Sequence, residues 1–114
     1  MADVKIYHNP ECSKCRQTLD LVRARGVEPE IVEYLENPPD EKTLEQLLSK
    51  LGIEPEELVR KKEDLYEELN LEQAGRRELI AAMVENPVLI ERPIVVKGEQ
   101  ATLGRPPENV LNIL

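Results

Sequence analysis

The chain has 114 residues, which fits a single domain with one hydrophobic core. Its 15 basic and 23 acidic side chains give a formal net charge of −8, which argues against a general nucleic-acid or anionic-membrane surface. No apolar run approaches the ~20 residues of a membrane helix, and the first ten residues lack the basic-then-apolar pattern of a signal peptide. We therefore expect a cytoplasmic protein with no nucleic-acid or membrane partner, in which any anion site is a local cluster of positive charge.

The first third of the chain has the pattern of a strand, a helix and a second strand. A short apolar run at residues 4–7 ends at an Asn-Pro turn and predicts a buried strand. Apolar residues at helical spacing predict a helix over residues 13–25, which Gly26 ends. A second strand is predicted at residues 30–34. The two strands should be parallel and joined by a right-handed crossover.

The middle of the chain is helical in pattern. Asp40 is a plausible cap for an amphipathic helix that Gly52 ends. Further helices are predicted, in chain order, at residues 55–60, 64–69 and 77–85. This block, at about residues 40–86, is predicted to be a helical insertion.

Strands return in the last quarter of the chain. Residues 94–97 and 101–103 flank Gly98-Glu99, a two-residue hairpin turn with glycine first. A final helix is predicted at residues 108–114, after two prolines. The whole order predicts an α/β fold with a hairpin, formed as one domain over residues 1–114.

The chemistry of the chain is concentrated in "YHNPECSKCR", residues 7–16. Cys12 is predicted at the start of the first helix, where free backbone N–H groups and the helix dipole favour an anion. Such a position beside Lys14, Arg16 and His8 lowers a thiol pKa from ~8.5 to roughly 3.5–7.5. The thiolate is the nucleophilic form, and the same N–H groups can receive an oxyanion.

Each of these residues also has a plainer interpretation. His8 either helps to hold Cys12 as thiolate or is a polar residue at a strand end, and Cys12 itself could be a small buried hydrophobe. Cys15 either resolves a disulfide with Cys12 or makes an apolar core contact. A zinc site would need further ligands, and the chain has one histidine and two cysteines, so we expect no metal.

Three arginines far apart in the sequence are candidate anion ligands. Arg60, Arg92 and Arg105 would each, taken alone, be interpreted as solvated surface charges. Arginine is nevertheless the residue best suited to bidentate recognition of a tetrahedral oxyanion.

With these residues assembled, the sequence resembles the glutaredoxin-dependent arsenate reductases, a family that also includes the Spx-type transcription regulators. The segments that carry the resemblance are "IYHNPECSKCRQTL", "YLENPP", "LVRKKEDLYEELNL", "NPVLIERPIVV" and "GRPPENVL". They cover almost the whole chain. The resemblance implies a thioredoxin-like fold with a mixed four-stranded sheet and an inserted helical subdomain.

The resemblance also implies residue roles. Cys12 matches the nucleophile that attacks arsenate, His8 the histidine associated with its reactivity, and Pro93 the cis-proline beside the site. The three arginines that match the oxyanion ligands are Arg60, Arg92 and Arg105. The implied reaction reduces arsenate to arsenite, with glutathione as co-substrate, glutaredoxin as partner and no tightly bound cofactor.

Cys15 departs from the pattern that the resemblance implies, because the best-studied members have no cysteine at that position. A disulfide between Cys12 and Cys15, reduced by thioredoxin or glutaredoxin, therefore competes with the glutathione route. Two other functions stay open. One is a thiol-redox protein of the same fold with another substrate, and the other is a redox-sensing regulator that binds RNA polymerase.

Overall fold

A computed structural model describes residues 3–114, which contain a four-stranded mixed sheet. The strands are β1 (Val4–His8), β2 (Glu30–Glu33), β3 (Ile94–Lys97) and β4 (Gln100–Leu103). Their order in the sheet is β2-β1-β3-β4. β1 pairs in parallel with β2 and antiparallel with β3, and β3 pairs antiparallel with β4. The predicted fold class is therefore confirmed.

The chain divides into two compact units. The sheet unit consists of the described residues up to Asn37 together with Arg92–Leu114. The helical unit is Pro38–Glu91, a few residues longer at each end than the predicted insertion. That the whole chain forms one domain stays a prediction.

Helix α1 (Ser13–Ala24) connects β1 to β2 in the sheet unit. It ends before Gly26, whose φ of +80° is a left-handed conformation that glycine adopts without steric cost. The helix buries one face in the core of this unit. The buried residues of that core are Val4, Ile6, Leu19, Val22, Val95 and Val110. Their contacts fix α1, and hence the residue at its start, relative to the sheet.

The hairpin between β3 and β4 turns at Gly98, with φ of +61°, as predicted. The final helix predicted at residues 108–114 forms as a 3₁₀-helix over Pro107–Asn112. Its bonds span three residues, for example from Asn109 N–H to Pro106 O at 3.0 Å. The two prolines that begin the segment supply no backbone N–H. In so short a segment the α-helical hydrogen-bond pattern adds little stability over the 3₁₀ pattern.

The helical unit contains four α-helices: α2 (Glu41–Leu51), α3 (Pro55–Leu58), α4 (Asp64–Glu68) and α5 (Arg76–Glu85). Short 3₁₀ turns lie at Leu71–Gln73 and Pro87–Leu89. The predicted limits of α2 are correct for a local reason. Asp40 Oδ1 accepts a bond from Thr43 N–H at 2.8 Å, and Gly52 ends the helix with φ of +69°. None of the helices formed by residues 3–114 is long and apolar enough to cross a membrane.

Candidate active site

Cys12 lies at the point where the loop after β1 becomes helix α1. It is the N-cap residue of α1, with an extended backbone, and its carbonyl accepts the first helical bond from Arg16 N–H at 3.1 Å. Asn9 shapes the loop before it. The Asn9 carbonyl accepts from Cys12 N–H at 3.0 Å, and its side-chain Oδ1 accepts from Glu11 N–H at 3.0 Å. The Asn-Pro turn thus delivers Cys12 to the helix start, as the sequence predicts.

The Cys12 thiol is more acidic than an ordinary thiol. Burial opposes its ionisation, but the hydrogen-bonding Arg92 side chain and the backbone N–H and thiol of Cys15 favour the thiolate more strongly. The net result is a pKa of about 7 for Cys12. Cys12 is therefore far more ionised at neutral pH than an unperturbed thiol, and the thiolate is the nucleophilic form.

Cys15 has the opposite character. It lies one turn into α1, is fully buried at 0% exposure, and forms no disulfide with Cys12. Burial raises the pKa of Cys15 to about 12, and the nearby Cys12 thiol adds to the rise, whereas the backbone N–H of Asn9 opposes it. The two cysteines therefore form an asymmetric pair, with one thiolate and one thiol that stays protonated.

Arg92 supplies positive charge to Cys12 from the segment that leads into β3. Its peptide bond to Pro93 is cis, and its carbonyl accepts a hydrogen bond from Arg105 Nε at 2.7 Å. The interaction with Cys12 contributes to a raised pKa for Arg92, in spite of burial, so its positive charge is secure. Its Nε is buried and has no hydrogen-bond partner among residues 3–114. Arg92 is thus not a solvated surface charge. It lies beside Cys12, and its Nε–H is available for a further hydrogen-bond acceptor.

The hydrogen bond from the Arg105 side chain to the Arg92 carbonyl connects the two residues. The Arg105–Pro106 peptide bond is also cis, and the Arg105 carbonyl accepts from Asn109 Nδ2 at 3.0 Å. Arg105 is therefore fixed at both its side chain and its backbone. Direct contact of Arg105 with an oxyanion stays a prediction.

Arg60 belongs to the helical unit, where two carboxylates face it. Arg60 Nε lies 3.4 Å from Glu63 Oε1, and Nη1 lies 3.5 Å from Glu91 Oε1. The side chain is only 17% exposed, and neither nitrogen makes a hydrogen bond within residues 3–114. The role of Arg60 in binding an oxyanion stays a prediction.

His8 is buried at the end of β1, and this environment lowers its pKa. Burial is the main cause. The charges of Arg23 and Arg16 act in the same direction, whereas Glu33 opposes them. His8 is consequently neutral near pH 7 and supplies no cation to the site. Its role in the reactivity of Cys12 stays a prediction.

The thiol acidity has one source that the sequence predicts and one that it does not. The backbone N–H of Cys15 at the helix start favours the thiolate, as predicted, but the cation comes from a distant segment. Arg16 Nη1 donates to the carbonyl of Pro10 at 2.9 Å, so this guanidinium braces the loop. Arg92, 80 residues along the chain from Cys12, supplies the charge instead. No local pattern around Cys12 could reveal it, although Arg92 itself was a candidate for oxyanion binding. Within residues 3–114 no cluster of His, Cys, Asp and Glu could hold a metal ion.

An acidic thiol at the start of the first helix, on a mixed four-stranded sheet, places the protein among the thioredoxin-like thiol proteins. Within that class the chain belongs to the ArsC family, whose model matches residues 7–113.

Three comparisons show how closely the chain follows individual relatives. It is 59% identical to the protein YfgD of Escherichia coli (strain K12), over 97% of this chain and 96% of that protein. It is 46% identical to the arsenate reductase of Haemophilus influenzae, over 97% of this chain and 98% of the relative. The solved structure of the arsenate reductase from Vibrio cholerae superposes with a TM-score of 0.95 at 52% identity, and covers 97% of each chain.

Proposed function

We propose that the protein is an arsenate reductase in which Cys12 is the nucleophile. The observation that carries the proposal is the Cys12 thiol, with a pKa of about 7, beside the half-buried Arg92 guanidinium. A thiolate and an arsenate anion repel each other on a protein of net charge −8. The fixed cation at Cys12 offsets that repulsion, and the unused Nε–H of Arg92 is a donor for an arsenate oxygen. The family and the arsenate reductases among its close relatives support the same substrate.

The proposed reaction uses two thiols for each arsenate. The Cys12 thiolate attacks As(V), an S–As bond forms, and one arsenate oxygen leaves as water after protonation. A second thiol then attacks the Cys12 sulfur. The electron pair of the S–As bond stays on arsenic, which leaves as arsenite, and a disulfide remains. Overall, arsenate and two thiols give arsenite, one disulfide and water. Arg92, joined by Arg60 and Arg105, would neutralise the oxyanion as charge develops.

The reductant is proposed to be glutathione with glutaredoxin, and thioredoxin is the competing source of electrons. The purified protein would be supplied with arsenate and each reductant system in turn, and arsenite would be measured directly. We expect arsenite to form in proportion to the protein and to arsenate, and none when phosphate replaces arsenate. If arsenite forms with neither reductant system, the proposed function is overturned. Disulfide reduction without arsenate would instead favour a thiol-redox protein with another substrate.

Cys15 is proposed to act as the second thiol. It lies three residues after Cys12 at a helix start, a spacing that a disulfide can bridge. The charge of Cys12 helps to raise the pKa of Cys15, and that charge is lost once the Cys12 sulfur is bonded to arsenic. Cys15 then becomes easier to deprotonate at the step that consumes a thiol.

The Cys15→Ser and Cys15→Ala variants test this role. Both should lose thioredoxin-supported turnover, because neither can close a disulfide with Cys12. Both variants lack the thiol, but only the serine variant buries a hydroxyl, which costs about 1–3 kcal/mol of stability. Comparing the two variants therefore separates these effects. Mass spectrometry of wild type after turnover should show Cys12 bonded to Cys15. A persistent adduct of Cys12 with glutathione, with Cys15 free, would contradict the resolving role.

A further inference from the structure

Gly104 lies at a place where no other residue fits. It follows β4, and a Cβ atom built on it would lie 2.6 Å from Thr18 Oγ1 and 2.7 Å from Pro93 Cγ. Real Cβ atoms essentially never approach another heavy atom closer than 3.0 Å. Any side chain here would therefore push one or both neighbours away.

The two neighbours of Gly104 belong to the two elements that form the candidate active site. Thr18 is fully buried in α1, where its hydroxyl donates to the Lys14 carbonyl at 2.7 Å. Cys12 is the N-cap of this same helix. Pro93 directly follows Arg92. A displacement of α1 from Pro93 is therefore also a displacement of the Cys12 sulfur from the Arg92 guanidinium.

Backbone and side-chain bonds from the same segment hold the Arg92–Pro93 pair. Gly104 N–H donates to the Pro93 carbonyl at 2.9 Å. The next residue, Arg105, donates from Nε to the Arg92 carbonyl at 2.7 Å. Gly104 and Arg105 thus donate to the carbonyls of Pro93 and Arg92. Gly104 also lies against Thr18 of α1.

We propose that Gly104 is a positioning residue for the active site: its lack of a side chain lets helix α1 and the Arg92–Pro93 segment meet, and this brings Arg92 to Cys12. The proposal rests on the proposed function only in taking Cys12 as the nucleophile. It assigns to the glycine no contact with substrate. Gly104 acts through Thr18 on one side and Pro93 on the other, and the quantity that it controls is the distance between a thiolate and its counter-charge.

The Gly104→Ala variant tests this proposal through the pH dependence of Cys12 alkylation, followed peptide by peptide with mass spectrometry. In wild type the midpoint should lie at about 7. In Gly104→Ala we expect it to move upward, toward the ~8.5 of an unperturbed thiol. The shift should be a part of the one seen in Arg92→Gln, which removes the cation altogether. A folded Gly104→Ala protein with the wild-type midpoint would overturn the proposal.

Gly75→Ala is the matched control. A Cβ on Gly75 meets only Glu78 Oε1, at an ordinary contact distance of 3.5 Å, so the midpoint should not change. An equal shift in this control would also overturn the proposal, because the effect would then not be specific to Gly104.

A second pair of variants keeps the test decisive if Gly104→Ala fails to fold. Thr18→Ala removes the Thr18 atoms that clash with the new methyl group, and the close approach to Pro93 remains. The double variant Thr18→Ala/Gly104→Ala should therefore show a higher midpoint than Thr18→Ala alone. Equal midpoints in the double variant and in Thr18→Ala would overturn the positioning role of Gly104. Because alkylation needs no arsenate, a shifted midpoint in a protein that forms no arsenite would support the positioning role while refuting the proposed function.

Discussion

Replacing Cys12 by serine is expected to reduce arsenate turnover to the uncatalysed background. Serine keeps the size of the side chain, but its hydroxyl is not ionised near pH 7, whereas the Cys12 thiol has a pKa of about 7. The S–As bond cannot form, and without it no electron pair reaches arsenic. The measurement is arsenite release under the reductant system that supports wild type.

The Cys12→Ser protein should nevertheless stay folded. Serine is a favourable N-cap residue, so helix α1 should begin at the same place with equal or greater stability. Thermal unfolding of the variant therefore serves as the control. Arsenite release by a folded Cys12→Ser protein at more than a small fraction of the wild-type rate would exclude Cys12 as the nucleophile.

Replacing Arg92 by glutamine is the second change with a large expected effect. It removes a hydrogen-bonding cation that lowers the pKa of Cys12, so the midpoint of thiol ionisation should move above 7. The proposed reaction also loses a fixed donor for the oxyanion. Losing one such donor typically costs about 10²–10³-fold in kcat. Turnover at pH 7 should fall by roughly that factor, and part of the loss should be recovered at higher pH as Cys12 ionises.

Arg76→Gln is the control for the loss of an arginine. Arg76 lies in the helical unit, about half exposed, with its Nη2 2.8 Å from Glu45 Oε1. Its removal should leave the ionisation of Cys12 and the turnover unchanged. If Arg92→Gln behaves like Arg76→Gln in both measurements, Arg92 has no part in activating Cys12.

The elements that the sequence predicts correctly are those that local chemistry determines. The limits of α2 follow from Asp40 and Gly52, and the hairpin follows from Gly98, because a cap or a left-handed turn depends on residues close by. The place of Cys12 is equally local, since an Asn-Pro turn and a helix start fix it within a few residues. The final helix is predicted without its type, because its apolar spacing suits both an α-helix and a 3₁₀-helix in so short a segment.

The contacts that tune the site could not be predicted in this way. The interaction of Arg92 with Cys12 depends on the pairing of β1 with β3, and hence on the packing of the whole sheet unit. Gly104 has no turn and no positive φ to mark it, since its importance comes from the approach of Thr18 and Pro93 in space. The resemblance to a known family selected Arg92 as a candidate, but as a ligand for the oxyanion and not as the counter-charge of the thiolate.

The sheet unit is built from two segments that the helical unit separates in the sequence, and this has a consequence for its biosynthesis. β1 pairs with β3 so that Val4 lies opposite Lys97, and the residues between Asn37 and Arg92 belong to the other unit. On the ribosome, Cys12 emerges 80 residues before Arg92. Until Arg92 emerges, β1 lacks its neighbouring strand β3, and Cys12 lacks the Arg92 cation that lowers its pKa. The nascent chain should therefore carry an ordinary, weakly reactive thiol at first, and should gain its nucleophile only after Arg92 has emerged and β3 has paired with β1.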